Sequence, residues 1–205
     1  MKPLVLTLLR RTPGWSSLAE AAGIDADDVA AILEGAERFA EAELVPLAAR
    51  ADADGCRLEA GRVVTPPGYR DAWLRLGEAG LVAPDLPEAL GGAGLPLAVH
   101  VAASLHLEAA AMPFMMAAGA TRAAAHCLAA IAPEHAAAWA PRLASGEATA
   151  TIAISEPDAG SDVGRIRTRA SRDGQGWRID GTKCWISFGD HDMADAIVHL
   201  LLART

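Results

Sequence analysis

A chain of 205 residues that is 52% hydrophobic and only 4% aromatic has room for one ordinary domain, or one domain and part of another, around a core of mostly Ala, Leu and Val. Its net charge of −8 argues against a nucleic-acid partner, which requires a basic face. Cys56, Cys127 and Cys184 lie far apart in no metal-like spacing, so they read as reduced thiols in a cytoplasmic protein, with no metal site.

The opening "MKPLVLTLLRRTPG" has an apolar core that stops at Arg10 and Arg11 with no small-residue cleavage site, so it does not read as a signal peptide. From Asp27, apolar residues fall at Val29, Ile32, Leu33, Ala36, Phe39, Ala40, Leu44 and Leu47. That is one helical face, with Asp25 or Asp27 as N-cap and Pro46 bending or fraying the last turn. "ADADGCRLEAGRVVTPPGY" reads as a loop, and "PGYRDAWLRLGEAG" as a short helix closed by Gly80. "LVAPDLPEALGGAGLP" is a connector: its glycines lack the GxGxxG spacing of a dinucleotide loop.

Leu95 to Ala110 and Phe114 to Ala130 are apolar almost all round and read as two helices buried in a bundle. "AAAMPFMMAAGAT" between and within them is too short for a membrane span and contains Pro113 and Gly119. "PEHAAAWAPRLASGE" gives a last short helix, with Pro133 in its first turn and Gly146 past its end.

Near Glu147 the period changes from 3.6 to 2. "ATATIAI", "RIRTRAS" and "AIVHLLLAR" read as strands, and "WRIDGTKCWIS" carries an Asp-Gly turn signal at Asp180-Gly181. The expected fold is therefore mainly α with a C-terminal β portion: residues 1–147 helical, and 148–205 antiparallel strands of an incomplete β-barrel. The last strand leaves an open edge, which implies that more chain, or another chain, completes the sheet.

Two polar stretches stand out in the β portion. The turn "SEPDAGSD", Ser155 to Asp162, offers hydroxyls, backbone N–H groups and a close approach at Gly160, as a loop holding a polar, planar or anionic ligand would. "GTKCWISFGD" sets Trp185 and Ser187 in an expected strand ending at Gly189, where an indole could stack on a ring and a hydroxyl bond its edge; a core role for Trp185 is the competing reading.

Together, "TIAISEPDAGSDVGRIRTRA" and "GWRIDGTKCWISFGDHDMADAIVHLLLART" resemble the start of the middle β domain of the acyl-CoA dehydrogenase family. "ERFAEAELVPLAARAD" and "APDLPEALGGAGLP" resemble its N-terminal helical domain, while Met1 to Asp27 matches only loosely. "DGCRLEAGRVVTPPGY" and "GDHDMADAIVHLLLART" look most like the subgroup that includes 3-(methylthio)propanoyl-CoA dehydrogenase.

The resemblance implies an FAD site. Ile152, Ile154, Ser155, Gly160 and Ser161 would contact the flavin, Trp185 and Ile186 would lie against the ring, and Ser187 would bond near flavin N5. Ser161 would also touch the CoA substrate. Ser155 and Ser187 stand where the family often has Thr, and each keeps the hydroxyl.

The implied reaction is α,β-dehydrogenation of an acyl-CoA thioester, with an electron-transfer flavoprotein or similar acceptor as partner and a homo-oligomer when complete. The family's general base is a Glu in a C-terminal helical domain, to which no position here corresponds, so no catalytic residue is assigned and the chain alone is expected to be inactive. Glu34, Glu37, Glu41 and Glu43 read as a solvated helix face, and Glu156 as a turn residue. His100, His106, His126 and His135 read as helix residues without metal spacing. An acyl-CoA oxidase or flavin monooxygenase of the same fold, and a non-catalytic truncated subunit, are the alternative readings.

Overall fold

The computed structural model describes residues 2–205. Two helices that the sequence reading did not place come first, α1 (Lys2–Arg11) and α2 (Trp15–Ala22). Val5 and Leu9 of α1 are buried. Helix α3 (Ala26–Phe39) starts at a capping box: Asp25 accepts from the N–H groups of Asp27 (2.8 Å) and Asp28 (2.9 Å), and Asp28 returns a bond to the Asp25 N–H. The predicted face is the buried one, through Val29, Leu33, Ala36, Ala40, Leu44 and Leu47, with Ile32 and Phe39 half-buried.

Pro46 does not end this helix. A π-helical turn, Ala40–Leu44, absorbs its missing N–H, and α4 (Val45–Asp54) continues with Pro46 in its first turn, where no donor is required. The expected loop beyond it holds a hairpin, β1 (Arg57–Glu59) with β2 (Arg62–Val64). Ala60 and Gly61 both take positive φ (51° and 79°) at its tip, the backbone that a two-residue hairpin turn requires.

Helix α5 (Tyr69–Glu78) carries Trp73, which is fully buried and donates its indole N–H to the Gly146 carbonyl at 2.8 Å. A Cβ at Gly77 would stand 2.0 Å from the Ser145 carbonyl oxygen, so only glycine allows α5 this close. Tyr69 and Trp73 both meet Phe114 edge-on, with centroids 5.2 and 6.3 Å apart.

The two expected long helices are one element, α6 (Leu97–Ile131), kinked at Ala111 (φ −154°, ψ 67°) just before Pro113. By length and composition α6 is long and apolar enough to cross a membrane, but half of its most apolar window is buried inside the fold, as in a core helix. Asp85, in the connector before α6, accepts from Arg122 Nε at 2.7 Å and from Arg122 Nη2, and meets His126 at 3.1 Å. Helix α7 (Pro133–Ala144) begins at Pro133, and Gly146 follows it with φ 80°.

In the β portion, β3 (Ala148–Ala153) lies on α6, with the Ala150 N–H donating to the Thr121 hydroxyl at 3.0 Å. Its partner β6 (Ala196–Leu201) runs parallel, from Ala148↔Ala196 to Ala153↔Leu201, not antiparallel as expected. The long connection returns the chain to the same end of β3 before β6 starts, which a parallel pair requires.

Strands β4 (Arg169–Asp173) and β5 (Gly176–Asp180) do pair antiparallel, around Gly174-Gln175. The hairpin turn is therefore Gly174-Gln175 and not the expected Asp180-Gly181. Gly181, at φ 154°, lies where a Cβ would come within 2.3 Å of the Thr168 hydroxyl. Past β6, the Arg204 N–H donates to Thr168 and its carbonyl accepts from Ala170, so the strand end is tied to the base of β4.

The acidic turn "GDHDMAD" clamps the two parts together. Asp190 accepts from the Val63 N–H and Arg62, and Asp192 from the Thr65 N–H and hydroxyl. The bond from the Val63 N–H is the main cause of a lowered Asp190 pKa. His191 is buried, and its Nδ1 accepts from the Met193 N–H at 3.1 Å. The ring proton therefore sits on Nε2, facing the Thr149 hydroxyl at 2.9 Å, and burial lowers the His191 pKa.

Candidate functional site

Beyond Ala153 the chain makes a tight turn, closed by Glu156 N–H to Ala159 carbonyl (2.9 Å) and Ala159 N–H to Glu156 carbonyl (3.1 Å). The loop over residues 181–189 runs beside it, and the Cys184 N–H donates to the Ser155 carbonyl at 3.0 Å. The two polar stretches singled out in the sequence are thus bonded to each other. The expected strand across the second one is absent: residues 181–189 are irregular.

Trp185 is 90% exposed, which removes the core reading. Its φ is 61°, a left-handed backbone that costs a bulky residue roughly 1–3 kcal/mol and persists only where neighbours impose it. Phe188 has φ 56° and packs edge-on to His191, with centroids 5.9 Å apart.

Glu156 lies in the turn, as expected, but its side chain runs inward. The residue is buried, and its carboxylate accepts from Lys183 Nζ at 2.9 Å, the Arg167 N–H at 2.5 Å and the Thr168 N–H at 3.0 Å. Contact with Thr168, opposed by burial and reinforced by Lys183 and Arg167, holds its carboxyl down at about 2. Lys183, which the sequence reading passed over, also donates to the Ile154 carbonyl at 2.8 Å. The available signal was an isolated Lys before the Trp and an acid straight after an apolar strand.

The other expected site residues are placed as follows. Ile152 is the exposed side chain of β3, Ile154, Ser155 and Ile186 are half-buried, and Gly160, Ser161 and Ser187 are exposed. Among the described residues, the hydroxyls of Ser155, Ser161 and Ser187 and the N–H groups of Gly160 and Ser161 have no hydrogen-bond partner. No hydrogen bond ties Ser161 or Ser187 to the Ser155–Cys184 junction. A Cβ at Gly160 would meet nothing within 4 Å, so the protein leaves that space open.

This donor set, beside a flat exposed indole, fits a planar cofactor with polar edges. An apolar groove of about 540 Å³ lined by Ile32, Phe39, Leu81, Leu95 and others shares none of these residues. Donor chemistry, not volume, locates the candidate site. No group of three or more metal-ligating side chains occurs among the described residues.

Residues 26–147 match the acyl-CoA dehydrogenase N-terminal domain, and residues 151–205 match the acyl-CoA dehydrogenase middle domain. The chain belongs to the acyl-CoA dehydrogenase family. It is 37% identical over 199 residues to 3-methylmercaptopropionyl-CoA dehydrogenase of Ruegeria pomeroyi, covering 96% of this chain and 34% of that one. The chain thus spans about a third of the length of that acyl-CoA dehydrogenase.

Among solved structures, glutaryl-CoA dehydrogenase from Mycobacterium smegmatis superposes with a TM-score of 0.70 at 28% identity, over 88% of this chain and 45% of that one. The same enzyme in complex with FADH2 superposes at 0.68, with 27% identity, over 83% of this chain and 42% of that one. The two joined loops lie in the part that matches the middle domain of acyl-CoA dehydrogenases.

Proposed function

We propose that the chain is part of an FAD-dependent acyl-CoA dehydrogenase, with residues 1–147 as its helical unit and 148–205 as the flavin-contacting start of its β unit. One observation carries this reading: the Cys184–Ser155 backbone bond brings the turn and the Trp185 loop together with their hydroxyls and indole unspent. When bound, FAD supplies the acceptor for the hydride that leaves the β-carbon of an acyl-CoA thioester. The chain's own residues bind and orient it. Trp185 offers a flat face, the Ser155 and Ser187 hydroxyls offer donors to the ring edge, and the Gly160–Ser161 N–H groups and the Ser161 hydroxyl offer donors to the cofactor or the CoA moiety.

The α-proton of the thioester needs a base, and Glu156 is unsuited to the task. Its oxygens are committed to three donors, and a pKa of about 2 leaves it little affinity for a proton. In this reading the base comes from outside these 205 residues, and an electron-transfer flavoprotein or similar acceptor removes the electrons.

The test is a titration of the 205-residue chain with FAD, followed by quenching of tryptophan fluorescence. Saturable quenching that is weaker in Trp185→Ala is expected; its absence in the unsubstituted chain sinks the flavin reading. With a short-chain acyl-CoA and an artificial electron acceptor added, no turnover is expected. Turnover that survives Glu156→Gln would show that a base exists elsewhere in the chain.

A further inference from the structure

Lys183 keeps only 9% of its side chain exposed and Glu156 only 5%, although each is of a type that rarely leaves the surface unpaired. The pair joins three segments. Lys183 Nζ holds the Ile154 carbonyl at the exit of β3 and the Glu156 carboxylate in the turn, and the same carboxylate holds the N–H groups of Arg167 and Thr168 ahead of β4. A packed apolar pair of similar volume would stabilise a fold at least as well. What it would not do is bond those backbone groups and so fix the 181–189 loop against the turn.

Trp185 stands two residues beyond Lys183, and its indole, 90% exposed, has almost nothing of its own to rest on. The direction of the indole is therefore set by the backbone at 183–184, where the Lys183 bonds and the Cys184–Ser155 bond are the anchors. Beyond it, the Gly189 N–H to Ile186 carbonyl bond (3.3 Å) is internal to the loop and fixes nothing against the turn.

We propose that Glu156 and Lys183 are a positioning pair, whose work is to hold Trp185 and the hydroxyl-bearing loops in one fixed arrangement for the cofactor. The proposal rests on the flavin reading of the site, but its first test needs no cofactor. Amide hydrogen exchange is measured at Cys184 and, as an internal reference in the same molecule, at Ala150, whose N–H is bonded to Thr121. In Lys183→Met, Cys184 protection should fall at least about tenfold more than that of Ala150, and Lys183→Arg should restore part of it. Equal losses at both amides, or none at Cys184, would show a merely structural pair and overturn the proposal. Should Lys183→Met fail to fold, Glu156→Gln carries the same expectation; failure of both to fold would also overturn it, since the pair would then serve the whole fold.

A second arm separates this idea from the reading beneath it. FAD titration should give an affinity at least about tenfold weaker in Lys183→Met than in the unsubstituted chain. If the unsubstituted chain takes up no FAD while Cys184 still loosens, the flavin reading falls and the positioning of the loop survives. If Cys184 loosens and FAD binds equally well, the pair does not position the site, and the flavin reading stands.

Discussion

The helical bundle and the two joined loops treat their polar groups in opposite ways. In the bundle, the Trp73 N–H, the Thr121 hydroxyl and the Asp85 carboxylate all bond inside the protein. In the loops, the hydroxyls of Ser155, Ser161 and Ser187 have no partner among the described residues, and a large aromatic ring stands in solvent. On the proposed reading, stability and recognition reside in different residues. Substitutions in the bundle should change unfolding, and substitutions at the loop tips should change binding alone.

The sharpest break of that comparison is Trp73→Ala. It empties a fully buried site, strands the Gly146 carbonyl and should cost about 3–5 kcal/mol in urea unfolding. Next is Arg122→Ala, which leaves the Asp85 carboxylate, only 5% exposed, with His126 alone. About 3 kcal/mol is expected, the low end for a broken buried pair because the guanidinium is partly exposed.

This substitution also carries a pH signature. Burial opposes ionisation of Asp85, but Arg122 and His126 overcome it and depress its carboxyl from 3.8 to about 2. A depressed carboxyl stabilises fully above its unfolded value and loses that contribution as pH falls toward the folded one. Stability of the unsubstituted chain should thus drop between roughly pH 4 and 2. Arg122→Ala should make that limb shallower, leaving the part due to Glu156, as followed by circular dichroism.

Thr149→Val removes the partner of the buried His191 Nε2–H and should cost about 1–3 kcal/mol by the same denaturant assay. The smallest stability effect belongs to Trp185→Ala, within about 0.5 kcal/mol because the side chain is almost fully solvated. The same change should diminish the fluorescence response to FAD. A large loss of stability there would erase the distinction between the two regions.

Much of this was legible in the sequence, and the misses have physical causes. The α3 face followed from spacing, because burial of one stripe enforces the period, while the choice of cap between Asp25 and Asp27 rests on hydrogen bonds, which select Asp25. The hairpin at residues 57–64 escaped because its strands are short and largely exposed and its turn depends on a positive φ at Ala60, a residue that does not advertise it. The Asp180-Gly181 signal misled because the hairpin turns at Gly174-Gln175, where the strands are in register, whereas Gly181 serves to pass Thr168.

The two acidic turns looked alike as strings and differ in their targets. "SEPDAGSD" sends Glu156 inward to Lys183 and backbone N–H groups, whereas "GDHDMAD" sends Asp190 and Asp192 across to the β2 hairpin. Neither set of carboxylates faces the candidate site. In the proposed site the donors offered to the cofactor are neutral groups, and local composition could not separate them from the acids, because inward and outward acids differ only in tertiary contacts.

The parallel pairing of β3 with β6 dictates an order of assembly. Thr151 and His199, bonded across the two strands, are 48 residues apart in the chain, so β3 leaves the ribosome well before its neighbour exists. At ordinary translation speeds that gap lasts roughly 2–10 s, ample time for the helices of a bundle rich in local contacts to close. During that interval β3 rests on the bundle, through Thr121 and the body of α6. On this order the sheet forms against a prebuilt helical surface, and the loop-closure entropy of the long connection falls on the step that pairs β6 with β3.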